Sequence, residues 1–215
     1  MTGLWIIIAV VVLLALALVA SYNRFVRQRN LVQESWRQVD VELNRRHDLI
    51  PNLVETVKGY ATQERTVLQS VTEARTAAVQ TLQAQGTGVA QQAQAENNLG
   101  RALNGLFAVA ENYPDLKSSQ NFLALQQQLA ETEDRIAAAR RFYNGNVRAL
   151  NTRVEAFPSS IVASTFGFTK ADYFEVDDPA VRAPVAVDFS SLTPTTPAPT
   201  TPATPSPPQT GQSPS

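Results

Sequence analysis

The strongest pattern in the chain is an unbroken apolar run. From Leu4 to Ala20 (LWIIIAVVVLLALALVA) every side chain is apolar. As a helix this run spans about 26 Å at ~1.5 Å per residue, close to a hydrocarbon core of ~30 Å. It predicts an N-terminal membrane-spanning helix. Met1, Thr2 and Gly3 carry no charged side chain, unlike the basic leader of a secretory signal. The small-x-small triplet Ala15-Leu16-Ala17 lies inside the apolar run. A retained anchor is therefore preferred to a cleaved signal.

After the run the period changes. Val32, Trp36, Val39, Leu43, Ile50, Leu53, Val57, Tyr60, Val67, Val71, Ala74 and Ala78 recur in steps of four and three, with gaps at Arg46 and Glu64. Such a seam predicts a long helix, from Tyr22 to about Gln83, packed on other helices. Pro51 lies inside it and has two readings. The seam keeps phase across it, which favours one kinked helix. Alternatively Asp48 caps a new helix with Pro51 in its first turn. The kink is preferred, because Arg45-Arg46-His47 contains no turn residue. Gly86-Thr87-Gly88 then predicts a turn.

A second helix is expected from Val89 to Asn112, with Leu99, Leu103, Leu106, Val109 and Tyr113 on one face. A turn at Asn112-Tyr113-Pro114-Asp115 leads to a third helix capped by Ser118 or Ser119. Its seam is Phe122, Leu125, Leu129, Ile136, Ala139, Tyr143, Val147, Leu150 and Val154. It stops at Phe157-Pro158. A short fourth helix, Ile161 to Phe166, is capped by Ser159 or Ser160 and ends at Gly167. The fold class is all-α: an antiparallel up-and-down bundle of three long helices and a short fourth, behind a transmembrane helix. The three long helices have unequal lengths. Either the first breaks near Asp48, or part of one projects.

The chain divides into an anchor (1–21), the bundle (22–168), an extended segment (169–192) and a tail (193–215). The extended segment contains a small acidic patch (Asp172, Glu175, Asp177, Asp178) and an apolar run from Ala183 to Phe189. The tail is Thr, Pro, Ala, Ser, Gln and Gly, with too little apolar surface to offset the entropy of ordering, and it is expected to be disordered.

Composition narrows the chemistry. There is no cysteine, which removes disulfides, thiolate metal sites, cysteine nucleophiles and a lipoprotein anchor together. The formal net charge of −1 gives no argument for nucleic acid. Arg24, Arg27 and Arg29 follow the apolar run, with Tyr22 and Phe25 at interface depth. By the positive-inside rule they place the bundle in the cytoplasm and a short N-terminus outside the cell membrane.

The one histidine, His47, lacks the Glu-x-x-His spacing of di-iron bundles, since Asn44 stands three residues before it. It is read as a partly exposed bundle residue. Glu131, Glu133 and Asp134 are read as a solvated face with local ion pairs, such as Glu131 to Arg135, rather than a cation site. No nucleotide-binding, zinc-protease or hydrolase motif is present. No catalytic, cofactor-binding or metal-ligating residue and no cofactor is assigned. Four polar groups, Glu133, Arg140, Asn144 and Asn151, fall on or beside the third seam. A buried polar group is costly unless paired, yet it can fix helix register. Glu133 or Asn144 is therefore expected to pair with Arg46 or another polar group of the first helix. Polar groups at the stripe's solvent edge are the alternative.

Several stretches resemble one family. They are Tyr22-Asn23, RRHDLIPNLVETVKGYA (Arg45 to Ala61), ENYPDLKSSQNFLALQQQLAETEDRIAAARRFYN (Glu111 to Asn144), Phe157-Pro158, Phe166 to Phe168 and Tyr173-Phe174. With these the chain is similar, over about residues 1–190, to the LemA family of bacterial membrane proteins. The resemblance implies an N-terminal anchor and an antiparallel helical bundle, with a short N-terminus outside and the bundle inside the cell. It implies no established enzymatic activity. One branch is associated with magnetosome formation, but nothing here singles out that branch, and the tail departs from the pattern.

Three functional readings follow. The leading one is a non-enzymatic, single-pass membrane scaffold or adaptor, with the lipid bilayer and an unidentified protein, or a second copy of itself, as partners. No nucleic acid or small-molecule substrate is expected. A membrane-remodelling or lipid-binding protein is the second reading, using the arginines and the Ile161 to Phe166 segment. An enzyme subunit with a polar site at Glu133, Arg140 and Asn144 is the third.

Overall fold

A computed structural model describes residues 1–61, 63–84 and 86–175. These lie within one compact unit, Met1–Asp177. The expected run from Ala183 to Phe189 and the Thr/Pro tail lie outside the described residues. Among the described residues all regular structure is helical: α1 (Thr2–Lys58), α2 (Arg65–Gln83), α3 (Val89–Ala110), α4 (Pro114–Lys117), α5 (Gln120–Glu155) and α6 (Ser159–Phe166).

The start of α1 is apolar on every face, with a mean hydropathy of 3.1 over its most apolar window and none of that window buried. It is long and apolar enough to cross a membrane. The helix then continues without a break through Pro51 to Lys58. The reading of one helix continuous through Pro51 therefore stands over a new helix at Asp48, but the expected continuation to Gln83 does not. The chain unwinds after Lys58, where the Tyr60 amide donates to the Val57 carbonyl three residues back at 3.0 Å. It turns through Ala61 and re-enters a helix at Arg65.

The cause is burial. A straight continuation would carry Leu68, Val71 and Ala78 past the end of the bundle. Reversal instead buries all three against α1 and α3. Gly59, a poor helix former, sits where the chain yields. Tyr60, placed in the seam by spacing, is 46% exposed, and Ala61 is buried in its stead.

The turn expected at Asn112 to Asp115 is the single-turn helix α4 with Pro114 at its start. Ser119 is the N-cap residue of α5, but its side chain makes no capping bond. Helix α6 begins two residues before Ile161, after Pro158, and ends at Gly167, whose φ of +70° is the left-handed C-cap that glycine favours.

Helices α1, α2, α3 and α5 run up and down in turn. The unequal lengths are resolved by two cores stacked along α1. The distal core joins all four, with Ile50, Leu53, Val57, Val71, Leu99, Leu106, Phe122 and Leu129 buried. The proximal core rests on α1 and α5, with Phe25, Val39, Leu43, Tyr143, Val147 and Leu150, and is closed by Ala163 of α6 and Phe174. Helices α2 and α3 cover the distal half and reach the proximal core only with their adjoining ends, through Leu82, Val89 and buried Ala93. Phe25 faces the bundle interior: it is fully buried, with Phe168 stacked on its ring at 4.7 Å between centroids.

Candidate functional site

Where one core gives way to the other, the seams turn polar together. Arg46 stands on the α1 seam between Val39 and Leu53. Thr132 stands on the α5 seam between Leu129 and Ile136, with Glu133 beside it. The α3 seam, followed backwards from Leu99 in steps of three and four, reaches Glu96 and Gln92. All of these except Glu133 are buried: Arg46 4%, His47 1%, Gln92 2%, Glu96 1% and Thr132 2% exposed.

Glu96 is the centre. One carboxylate oxygen accepts from Arg46 Nη2. The other accepts from His47 Nε2 at 3.0 Å and from Gln92 Nε2 at 2.6 Å. Arg46 Nη1 donates to Glu133 Oε1 at 2.6 Å. Glu133 is half exposed, so the node meets solvent on the α5 side. The expected pairing of Glu133 with Arg46 is therefore present. His47 is fully buried rather than partly exposed, and with a carboxylate as its partner its Nε2 acts as donor. Arg46 Nε, His47 Nδ1 and Gln92 Oε1 are buried without a partner in the protein.

Pro51 belongs to the same node. Having no N–H, it leaves the carbonyl four residues back without its helical donor. That carbonyl is His47's, and Arg75 Nε of α2 donates to it at 2.7 Å. The backbone group freed by proline thus ties α2 to α1. Gln92 adds a longer bond to the Ala78 carbonyl of α2 at 3.4 Å. The node joins four helices.

Burial by itself would push the Glu96 carboxyl up. The His47 hydrogen bond and the Arg46 charge outweigh it and hold the group below its ordinary 4.5. Arg46 is likewise drawn down by burial but raised on balance by Glu96 and Glu133, which keeps it charged. Because Glu96 is more acidic folded than unfolded, its contribution to stability is complete above 4.5. It declines as pH falls from there to the lowered folded value and is absent below it. Urea unfolding followed by circular dichroism is expected to show a lower midpoint on acidification through this window. The Glu96→Gln variant, weaker at neutral pH, loses less.

The remaining polar groups of the third seam serve another purpose. Asn144 and Asn151 clamp the non-helical strap that follows α6. Asn144 accepts from the Phe174 amide at 2.9 Å and donates to its carbonyl at 3.1 Å. Asn151 does the same with Ala171, both at 2.9 Å. Between them the Tyr143 hydroxyl donates to the Asp172 carbonyl at 2.8 Å. Its pKa is pushed up to about 12 by burial and by the Asp172 charge, so it remains a donor.

The lengths match. Residues 144 and 151 are about 10.5 Å apart along a helix, and residues 171 and 174 about 10 Å apart in extended chain. The structure therefore brings Glu133 and Asn144 to different partners and makes no common cleft of them. Glu131 accepts from Gln127 at 3.0 Å on an exposed face. Among the described residues no three His, Asp or Glu side chains converge in a way that could hold a metal ion.

The LemA family model matches residues 35–189. Magnetosome protein MamQ 2 of Paramagnetospirillum magneticum is 28% identical over 211 residues, covering 87% of this chain and 77% of that protein. Magnetosome protein MamQ of Magnetospirillum gryphiswaldense is 28% identical over 202 residues, covering 83% and 74%. Protein LemA of Metamycoplasma hominis is 24% identical over 160 residues, covering 74% and 71%.

Proposed function

The chain belongs to the LemA family, and from that premise we propose that it is a non-enzymatic, single-pass membrane scaffold that presents a rigid helical rod to a protein partner or to a second copy of itself. The observation that carries this reading is the continuity of α1. One helix runs from Thr2 to Lys58 with no break between the apolar run and the bundle. At ~1.5 Å per residue Lys58 lies about 55 Å beyond Ala20. An anchor and a bundle built on one helix cannot swing independently, so whatever binds the rod is held at a set distance along it from the bilayer.

The interior supports the non-enzymatic part. Glu96 is lowered in pKa rather than raised, and both its oxygens are occupied, which is the state of a structural carboxylate and not of a general acid. Arg24, Arg27 and Arg29 beside the apolar run orient the rod into the cytoplasm, with the short N-terminus across the cell membrane. Val41 of α1 and Phe142 of α5 are 61% and 51% exposed along the rod's sides and are among the apolar positions a partner would cover. The magnetosome proteins among the relatives make the magnetosome one setting for such a scaffold.

Photo-crosslinking tests this. A crosslinking amino acid at Val41 or Phe142 of the full-length protein in cells is expected to yield a discrete adduct, either a homodimer or a heterodimer. Protein that stays monomeric in mild detergent and yields no adduct from either position overturns the reading.

A further inference from the structure

The membrane end of the bundle carries surface that the packing does not explain. Between Glu155 and Lys170 there is no charged residue (AFPSSIVASTFGFT). This stretch contains α6 and its flanking turns. It buries Ala163 and half-buries Val162 and Phe168 against the proximal core, yet leaves Phe157 83%, Ile161 58% and Phe166 47% exposed. Elsewhere on the bundle, exposed positions are largely charged or amide-bearing.

Its height is set by ring contacts. Phe166 meets Tyr22 edge-on at 5.0 Å between centroids, and Phe168 meets Tyr22 at 5.7 Å. Tyr22 is two residues past the apolar run, about 3 Å along the helix axis, whereas the headgroup layer of a leaflet is about 5–8 Å thick. Helix α5 arrives at the same level, with the Arg153 guanidinium 5.9 Å from the Phe25 ring.

Cations gather there as well. Arg153 and Arg24 lie close enough to repel, Arg153 Nε is buried without a partner, and Arg29 stands over the Phe168 ring at 5.8 Å. Glu155, the acid that borders this stretch, is already paired with Lys170.

We propose that the α6 end of the bundle is a second membrane contact. Phe157, Ile161 and Phe166 enter the headgroup layer of the leaflet from which α1 emerges, and Arg24, Arg29 and Arg153 meet anionic lipid phosphates. The occupant is lipid because the surface is continuous with a helix that crosses the bilayer, lies within the headgroup depth, and pairs uncharged apolar side chains with unneutralised arginines, as interfacial segments do. The contact would fix the rod's tilt, since a single spanning helix leaves tilt free. It rests on the reading of Leu4 to Ala20 as a bilayer span.

The chain has no cysteine, so single-site labelling of the full-length protein is clean. An environment-sensitive fluorophore is placed at Ile161→Cys, at Phe157→Cys as a second site, at Leu14→Cys in the span, and at exposed Leu123→Cys at the far end. Each protein is reconstituted in nanodiscs of phosphatidylcholine, with and without phosphatidylglycerol. The expected result is blue-shifted emission at Ile161 and Phe157, with quenching by headgroup-proximal spin-labelled lipid severalfold stronger than at Leu123, and stronger again with phosphatidylglycerol. Quenching of both α6 sites by aqueous iodide and not by lipid, while the Leu14 label is lipid-quenched, overturns this inference and leaves the anchor intact. Iodide quenching at Leu14 overturns the anchor reading itself. Equal quenching in the two lipid compositions overturns the arginine half of the proposal.

Discussion

Replacing Glu96 with leucine is expected to destabilise the folded protein by about 3–5 kcal/mol, the cost of leaving a buried ion pair without one partner. Arg46 keeps Glu133, but that carboxylate is half exposed and on the wrong side to serve His47 and Gln92. The change therefore strands two buried donors, Arg46 Nη2 and His47 Nε2, and leaves Gln92 Nε2 with only its longer bond to the Ala78 carbonyl. Thermal or urea unfolding of the detergent-solubilised protein measures the loss. The double variant Arg46→Met with Glu96→Leu is expected to recover a substantial part of it, because apolar groups of similar volume need no partner. A double variant as weak as the sum of the singles would mean that the two side chains act independently, and the node would not be the unit described above.

The second large effect is expected at the strap. Asn144→Ala with Asn151→Ala removes four hydrogen bonds to backbone groups of Ala171 and Phe174. An unpaired buried polar group costs about 1–3 kcal/mol, but a strap that peels away regains water, so a net loss of about 2–4 kcal/mol is expected. Release also uncovers Phe174, which is fully buried with its ring edge-on to Trp36 at 5.4 Å. Hydrogen exchange should locate the effect. The Phe174 amide loses protection while amides of the distal core, such as Leu103, keep theirs. Loss of protection throughout would mean that the strap holds the bundle together rather than closing its proximal end.

Asparagine is suited to this clamp for a chemical reason. Its side-chain amide carries the same donor and acceptor as a peptide group, so it pairs with an adjacent backbone as a strand would. Two such residues a heptad apart on α5 receive an extended segment with no second strand. The seam position of Asn144 and Asn151 was visible in the sequence, but their partner was not. The spacing places both on the inner face of α5 and is silent on which of several polar groups meets them there. The same gap explains Glu96 and Gln92. They lie in a polar run (QQAQAENN) that conceals the seam, and only extending the Leu99, Leu103, Leu106 pattern backwards by helical steps reveals that they point inward.

Local periodicity determined much of this protein by itself. The apolar run, the inward faces of the helices, the turn at Gly86 to Gly88, the stop at Phe157-Pro158 and the passage of a helix through Pro51 all depend on neighbours within a turn or two. Tertiary structure decided the rest. The reversal between Lys58 and Arg65 leaves the seam in phase, because both arms face the same core, so periodicity could not separate one helix from two. Arg46 finds Glu96 and Glu133 at sequence separations of 50 and 87, and Pro51 finds its substitute donor in Arg75 of the reversed arm. Those pairings exist only once the chain has turned back, since a hydrogen bond is won or lost over an ångström and a sequence pattern carries direction but not distance.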